Sequence, residues 1–298
     1  MDANLQRPIT EEDDMPRSES YIRGALRKLI RKRAAQIGVA MLLLLSLTAA
    51  SAQWLAPYDP TDMDVSRRLQ PPSSQHLLGT DEFGRDLLSR LIHGSRITFQ
   101  IGIISVGISM ITGGIIGLIA GFFGGTVDML VMRFIDIMMA FPSIVLALAI
   151  IAILGPSLNN VMIAVGLGSM PTYARLTRGT CLSVMENDYV QASRAVGATD
   201  ARTALRHVLP NIISPIIILA TLGLPGAILS AAGLSFIGLG AQPPSPEWGA
   251  ILSSGRAYIR SAWWMTTFPG LAIMVVVLGF NLLGDELRDV LDPRLRQY

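Results

Sequence analysis

Side chains able to do chemistry are few in this chain and thinly grouped. The three histidines, His76, His93 and His207, are scattered, and Cys181 is the sole cysteine. No His-Glu-x-x-His pair or Cys–His cluster exists to hold zinc, and no intrachain disulfide can form. Lys28 and Lys32 are the only lysines, and neither follows the glycine-rich loop that cradles nucleotide phosphates. No serine lies in a nucleophile elbow. Opposite charges do meet at three places. In the first, Thr80 or Asp81 could cap a helix on which Asp86 and Arg90 stand i,i+4 as an ion pair. In the second, Arg133 lies one helical turn before Asp136, an interfacial ion pair. The third, Asp188–Arg206, is polar, basic and helix-forming. This is chemistry for pairing and docking; the chain is expected to be no enzyme and to hold no metal or cofactor.

The elements that position these groups are apolar. Just over half of the residues are hydrophobic and 15% are charged, where a soluble chain carries about a quarter. Charge is absent from Ala34–Tyr58, Ile97–Val127, Ile137–Ala174, Asn211–Pro246 and Ser261–Gly284. Crossing a bilayer takes about 20 apolar residues in a helix. Four tracts hold one span each, and Ile137–Ala174, interrupted at Gly155-Pro156, holds two. The expectation is an all-α integral membrane protein with six transmembrane helices near 34–55, 97–120, 130–154, 158–176, 212–237 and 266–284. Continuous apolarity rules out a β-barrel, whose strands alternate. The tracts hold no ionisable group of the kind that couples ions to transport in secondary carriers, which points to an external energy source.

Basic residues set the orientation. With the N-terminus in the cytoplasm, seventeen of the 24 Lys and Arg fall inside and seven outside, so the reading is N-in and C-in. The organisation follows: residues 1–33 form a cytoplasmic tail, 34–56 the first span, 57–96 an outer loop, 97–284 a five-span core with a cytoplasmic loop at 177–211, and 285–298 a cytoplasmic tail. Tyr21–Arg33 spaces Ile22, Leu26, Leu29 and Ile30 as a surface-lying amphipathic helix would, or serves simply as a positive flank. The first apolar run reaches span length, which favours an uncleaved anchor over a signal peptide. Within the spans, Gly102, Gly107, Gly113, Gly114, Gly117 and Gly121 would let helix backbones approach closely, as would Ala227, Ala231, Ala232 and Gly233.

In the cytoplasmic loop, Asn187 or Asp188 can cap a helix that Gly197 ends, with Tyr189, Ala192 and Val196 on one face. A second helix starts at Thr199 or Asp200 and is expected to stop at Pro210. Gln191-Ala192-Ser193, Gly197, His207 and Leu209-Pro210 resemble the E-A-A-x3-G-x9-I-x-L-P pattern of binding-protein-dependent ABC importer permeases. Gln191, Ser193 and His207 depart from it, and the spacing is intact. Leu78–Arg90, Gly233–Pro244 with Glu247-Trp248-Gly249, and Phe280–Asp285 with Leu287–Arg294 are similar to segments of the C-type subunit of dipeptide and oligopeptide importers. Together these motifs cover nearly the whole chain after residue 34.

The resemblance implies a type I ABC importer permease fold in the bacterial inner membrane, importing dipeptides or short oligopeptides. Glutathione, D-amino-acid dipeptides or nickel complexes are alternative cargoes within the same family. Implied partners are a homologous B-type permease, two ATP-binding subunits that use the ATP and Mg, and a periplasmic or lipid-anchored substrate-binding protein; nucleic acid is not among them. Asp188, Tyr189, Gln191, Ala192, Ser193, Gly197, His207, Leu209 and Pro210 would form the ATPase-coupling loop. Gly79, Thr80, Asp81, Gly84, Arg85, Asp86, Gln242, Pro243 and Trp248 would seal an outer gate against the partner permease or dock the binding protein. An ion-gradient-driven carrier, or a scaffold without transport, would need no such coupling loop.

Overall fold

The computed structural model describes residues 32–291, so the amphipathic segment expected before Lys32 and the tail position Arg294 lie outside the described residues. Among the described residues the regular structure is helical, apart from one isolated antiparallel bridge between Thr80 and Asp86. Helix α1 spans Arg33–Ala50, and an extended outer segment leads to α2, Leu87–Phe123. Then come α3 (Gly125–Met139), α4 (Ser143–Leu154) and α5 (Leu158–Met185). Short helices α6 (Asp188–Ala195) and α7 (Asp200–Thr203) precede α8 (Leu209–Phe236). Helix α9 covers Trp248–Gly255 and α10 covers Trp264–Leu291.

Several of these helices outrun their expected spans, α2, α5 and α10 among them. Nothing between Leu87 and Ile97 breaks a helix, so the outer helical turns and the second span fuse into one rod of 37 residues. Its start is capped by Asp86, whose carboxylate accepts the Ser89 N–H at 2.8 Å, rather than by Thr80 or Asp81. Helix α10 likewise continues past Gly284 through residues assigned to the tail. There Lys32 pairs with Glu286, and with Asp289 at 3.2 Å, which sets the start of α1 beside the end of α10.

The central packing is α2 against α5. Gly113, Gly117 and Gly121 repeat every four residues and present a bare backbone strip to Met170–Cys181. A Cβ on Gly113 would sit 2.6 Å from the Met170 carbonyl, and one on Gly121 2.8 Å from Cys181 Cβ. In return Gly166 of α5 leaves room for Ile108, and its carbonyl accepts the Ser109 hydroxyl at 2.6 Å. Gly107 and Gly114 meet nothing and take no part in this contact.

Among the described residues, four helical rods are long and apolar enough to cross a membrane: Arg33–Ala50, Leu87–Phe123, Asp200–Phe236 and Trp264–Val290. A fifth arises if α3 and α4 count as one span, although they meet at 92°. The expected straight span at 130–154 is thus broken. Pro142 disfavours helical backbone at Phe141 and becomes the cap of α4. The span expected at 158–176 falls in α5, whose 28 residues could reach about 42 Å but which is not among the helices apolar enough to count. Asn159, Asn160, Arg175 and Arg178 make it less apolar than the others. Outward apolar faces are broad: Leu43, Leu44 and Leu47 of α1 and Ile103, Ile111 and Ile115 of α2 are more than half exposed within the chain, as lipid-facing or partner-facing residues are.

Candidate functional site

The segment between α5 and α8 forms a knob. Asn187 does not cap α6 with its side chain; it turns back, donating to the Ser183 and Val184 carbonyls at 3.3 and 3.0 Å. Asp188 stands in the first turn, where its charge complements the helix dipole. At the other end Gly197 takes φ +82°. Its N–H bonds to the Arg194 carbonyl at 3.0 Å, and that of Ala198 to Ser193 at 3.1 Å. This pair of bonds is the Schellman closure, which needs a left-handed residue at that position.

The knob has two faces. Val190 and Val208 are fully buried in one cluster with Phe122 of α2 and Cys181 of α5. Burying a valine stabilises by roughly 1.5–3 kcal/mol, so this face fastens the knob to the C-terminal part of both helices. Arg194 adds a cation–π contact over Phe122 at 5.1 Å. The opposite face is open: Tyr189 is 45% exposed, Val196 85% and Leu205 62%, with Gln191 and Ala192 also exposed. Ser193 is buried. His207 and Leu209 are half-buried, and Pro210 is exposed.

Pro210 does not stop the helix. Residues Ala204–Val208 widen into a π turn, and Pro210 occupies the first turn of α8, where no backbone donor is required. Asp200–Phe236 therefore runs as one continuous rod from the knob through the bundle.

Behind the knob, α3 is tied to α5 by two ion pairs. Asp128 takes a bidentate Arg178 at 2.5 Å, and Asp136 takes Arg175 at 2.6 Å. The expected Arg133–Asp136 pair does not form. At 100° per residue Arg133 points about 140° away from Asp128, and it is left exposed with no ion pair among the described residues.

Most of the residues expected at an outer gate pack together inside the chain as a knot. Thr80, Asp81, Arg85, Asp86 and Trp248 are each at most 3% exposed, and Gly79 and Gly84 are buried with them. Asp81 receives Arg85 Nε at 2.6 Å and the backbone N–H groups of Phe83 and Arg85 at 2.9 and 3.0 Å, with Arg90 Nε at 3.4 Å. Arg90 also donates to the carbonyls of Pro60, Pro244 and Ser245, joining the two outer segments. The expected Asp86–Arg90 pair is absent because Asp86, turned inward as a cap, meets His76 Nδ1 at 2.9 Å. Trp248 donates to the Leu91 carbonyl and Trp264 to that of Thr80, both at 3.0 Å. Glu247 is buried too, and its carboxylate caps α9 through Gly249 and Ala250. Desolvation pushes its pKa up against those hydrogen bonds. Gln242, Pro243 and Phe83 remain exposed, and Glu82 is partly buried.

Several of these partners escaped sequence reasoning. Val190 and Val208 lie at helix-buried spacing across a bend, and His76 and Trp264 come from segments distant in sequence. A signal existed only for Arg178, five turns after Asn160 on a helix free of acids.

Residues 113–297 match the binding-protein-dependent transport system inner membrane component family, and residues 20–72 match the N-terminal TM domain of oligopeptide transport permease C. The chain belongs to this family and is a multi-pass inner-membrane transport component. It is 45% identical to the dipeptide transport system permease protein DppC of Alkalihalophilus pseudofirmus, over 95% of this chain and 93% of that protein. The di/tripeptide transport system permease protein DppC of Pseudomonas aeruginosa is 51% identical, over 87% and 88%. Among solved structures, the inward-facing MetNI methionine ABC transporter shares the fold, with a TM-score of 0.55 at 20% identity, covering 68% of this chain and 97% of that one.

Proposed function

We propose that this chain is the permease subunit of an ATP-driven importer that carries dipeptides or short oligopeptides across the inner membrane. The observation that carries the mechanical part is the knob: an exposed apolar face at Tyr189, Ala192, Val196 and Leu205, continuous with the rod Asp200–Phe236. A force applied to that face reaches the bundle along α8, and through Val190 and Val208 it reaches α2 and α5. The names of the relatives support the peptide class. In this reading, two ATP-binding subunits contact the knob and use the ATP and Mg, and this chain itself binds no cofactor. A homologous B-type permease completes the pathway, and a periplasmic or lipid-anchored binding protein delivers cargo. Six spans with both termini inside accommodate the arrangement, and α5 supplies the sixth, its arginines neutralised by α3. The test is dipeptide uptake into proteoliposomes holding the full complex. Uptake should require internal ATP and fail when Val196 and Leu205 are both replaced by aspartate; uptake that survives both changes would remove the reading.

A further inference from the structure

Helix α3 is joined to the chain by a corner at each end. At its start Gly124 and Gly125 take φ +64° and +52°, a region that L-residues rarely adopt. A Cβ built on either would meet nothing within 4 Å, so no packing braces this corner. At its end the chain turns through 92° into α4. Between the corners only Ile135 is buried, against Met170 and Ala174 of α5, with Ile116 of α2 at the margin.

With so little of α3 buried, its ion pairs to α5 decide where it lies. Asp128 and Asp136 stand about 12 Å apart along α3, whereas Arg175 and Arg178 stand about 4.5 Å apart along α5. The two guanidinium groups therefore splay, Arg178 to Asp128 and Arg175 to Asp136. Anchors this far apart fix both the sliding and the tilt of α3 on α5. Opening either pair at the membrane boundary would leave charges poorly compensated, so the pairs are built to stay closed while helices move. Helix α4 leans on the same partner. A Cβ on Gly168 would lie 2.9 Å from the Ser143 carbonyl, and Ala147 and Ile151 share a cluster with Val161 and Val165 of α5. Arg178 stands about two turns before the end of α5 at Met185, and α6 of the knob starts three residues later.

We propose that α5 carries the α3–α4 elbow as one body through these ion pairs, which makes Asp128, Asp136, Arg175 and Arg178 positioning residues that pass movement of the knob to the elbow. The movement itself rests on the importer reading above; the tether between the two helices does not.

The experiment uses the assembled complex with Cys181→Ser and the paired changes Asp128→Cys and Arg178→Cys. Replacing both partners by small neutral groups leaves neither charge unpaired, so the subunit should keep its fold, held by one anchor that fixes position but not tilt. Uptake of a labelled dipeptide and ATP hydrolysis are measured on the same proteoliposomes. Uptake per ATP should fall roughly tenfold, as a coupling of ordinary size between contacting charges would give, while hydrolysis persists. A short bis-methanethiosulfonate linker between the two thiols should restore it, and reductant should remove the gain. A merely structural role predicts uptake and hydrolysis falling together without rescue, and a pair that must open predicts a linker that blocks uptake; either result would overturn the proposal. A second measurement does not depend on transport. Spin labels at Leu130→Cys and Thr172→Cys, both exposed, should keep one narrow distance distribution with and without a non-hydrolysable ATP analogue, and broaden when Asp128→Asn and Arg178→Gln are added. Equal widths in the two proteins would refute the tether. Loss of ATP dependence in wild-type uptake would instead sink the importer reading and leave the tether to be decided by the label distances.

Discussion

Gly197 offers the sharpest perturbation of the knob. Its φ of +82° closes α6, and a Cβ built there would meet nothing within 4 Å. Substitution therefore has no steric cost against neighbours, and the whole effect is the backbone's. An L-residue in the left-handed region costs roughly 1–2 kcal/mol, which is about a tenfold shift in the share of chains with the cap intact. A β-branched side chain should stand at the high end of that range, and asparagine, which tolerates this conformation, near zero. The expected order of dipeptide uptake in proteoliposomes is glycine, then asparagine, then alanine, then valine, with about tenfold between the first and last. Membrane insertion and Tm of the purified subunit should move little, because Val190 and Val208 keep their burial. Equal uptake by Gly197→Asn and Gly197→Val would refute the argument, since it would show that the cap conformation does not matter to the coupling.

Other outcomes follow from the same contacts. Asp81→Asn removes the carboxylate that holds Arg85 and Arg90, and leaving buried guanidinium groups uncompensated should destabilise by about 3–5 kcal/mol, read as a lowered Tm and poor recovery from the membrane. Gly117→Val drives a side chain into the α5 backbone at Ala174, and should cost more stability than the same change at Gly114, which faces open space. Glu247 has its folded pKa raised above the ordinary 4.5. Its protonated form is thus favoured by folding, and the associated stability is present below 4.5 and lost as pH rises through the folded value. Thermal melts from pH 4 to 8 should show the wild type losing Tm relative to Glu247→Gln as pH rises; parallel curves would contradict this. In a Cys181→Ser background, a cysteine at the exposed Phe83 should react with an impermeant thiol reagent from outside and one at Gln191 only after the membrane is opened. A cysteine at the buried Glu247 should stay unreactive in both.

Periodicity and charge made the helical class, the short helix after α5 and its closing glycine legible, because each depends on residues close in sequence. Gly113, Gly117 and Gly121 announced a close helix contact, though not its partner. What stayed hidden depends on tertiary placement. Asp86 and Arg90 satisfy i,i+4 spacing, yet capping turns Asp86 toward His76 while Asp81 draws both arginines. Asp136 looked local to Arg133, and the fold instead offers it Arg175 on a neighbouring helix. Pro210 reads as a stop, but the π turn before it lets the rod continue. Charged outer residues read as surface, whereas their burial follows from two segments more than 150 positions apart closing over one another.

The most direct test of the account is transport by the purified full complex in proteoliposomes, with a labelled dipeptide and the binding protein outside and nucleotide inside. The account predicts accumulation that needs ATP, persists when proton and sodium gradients are collapsed by ionophores, and disappears when the ATP-binding subunits are left out. Accumulation by this chain without those subunits, driven by an ion gradient, would contradict it.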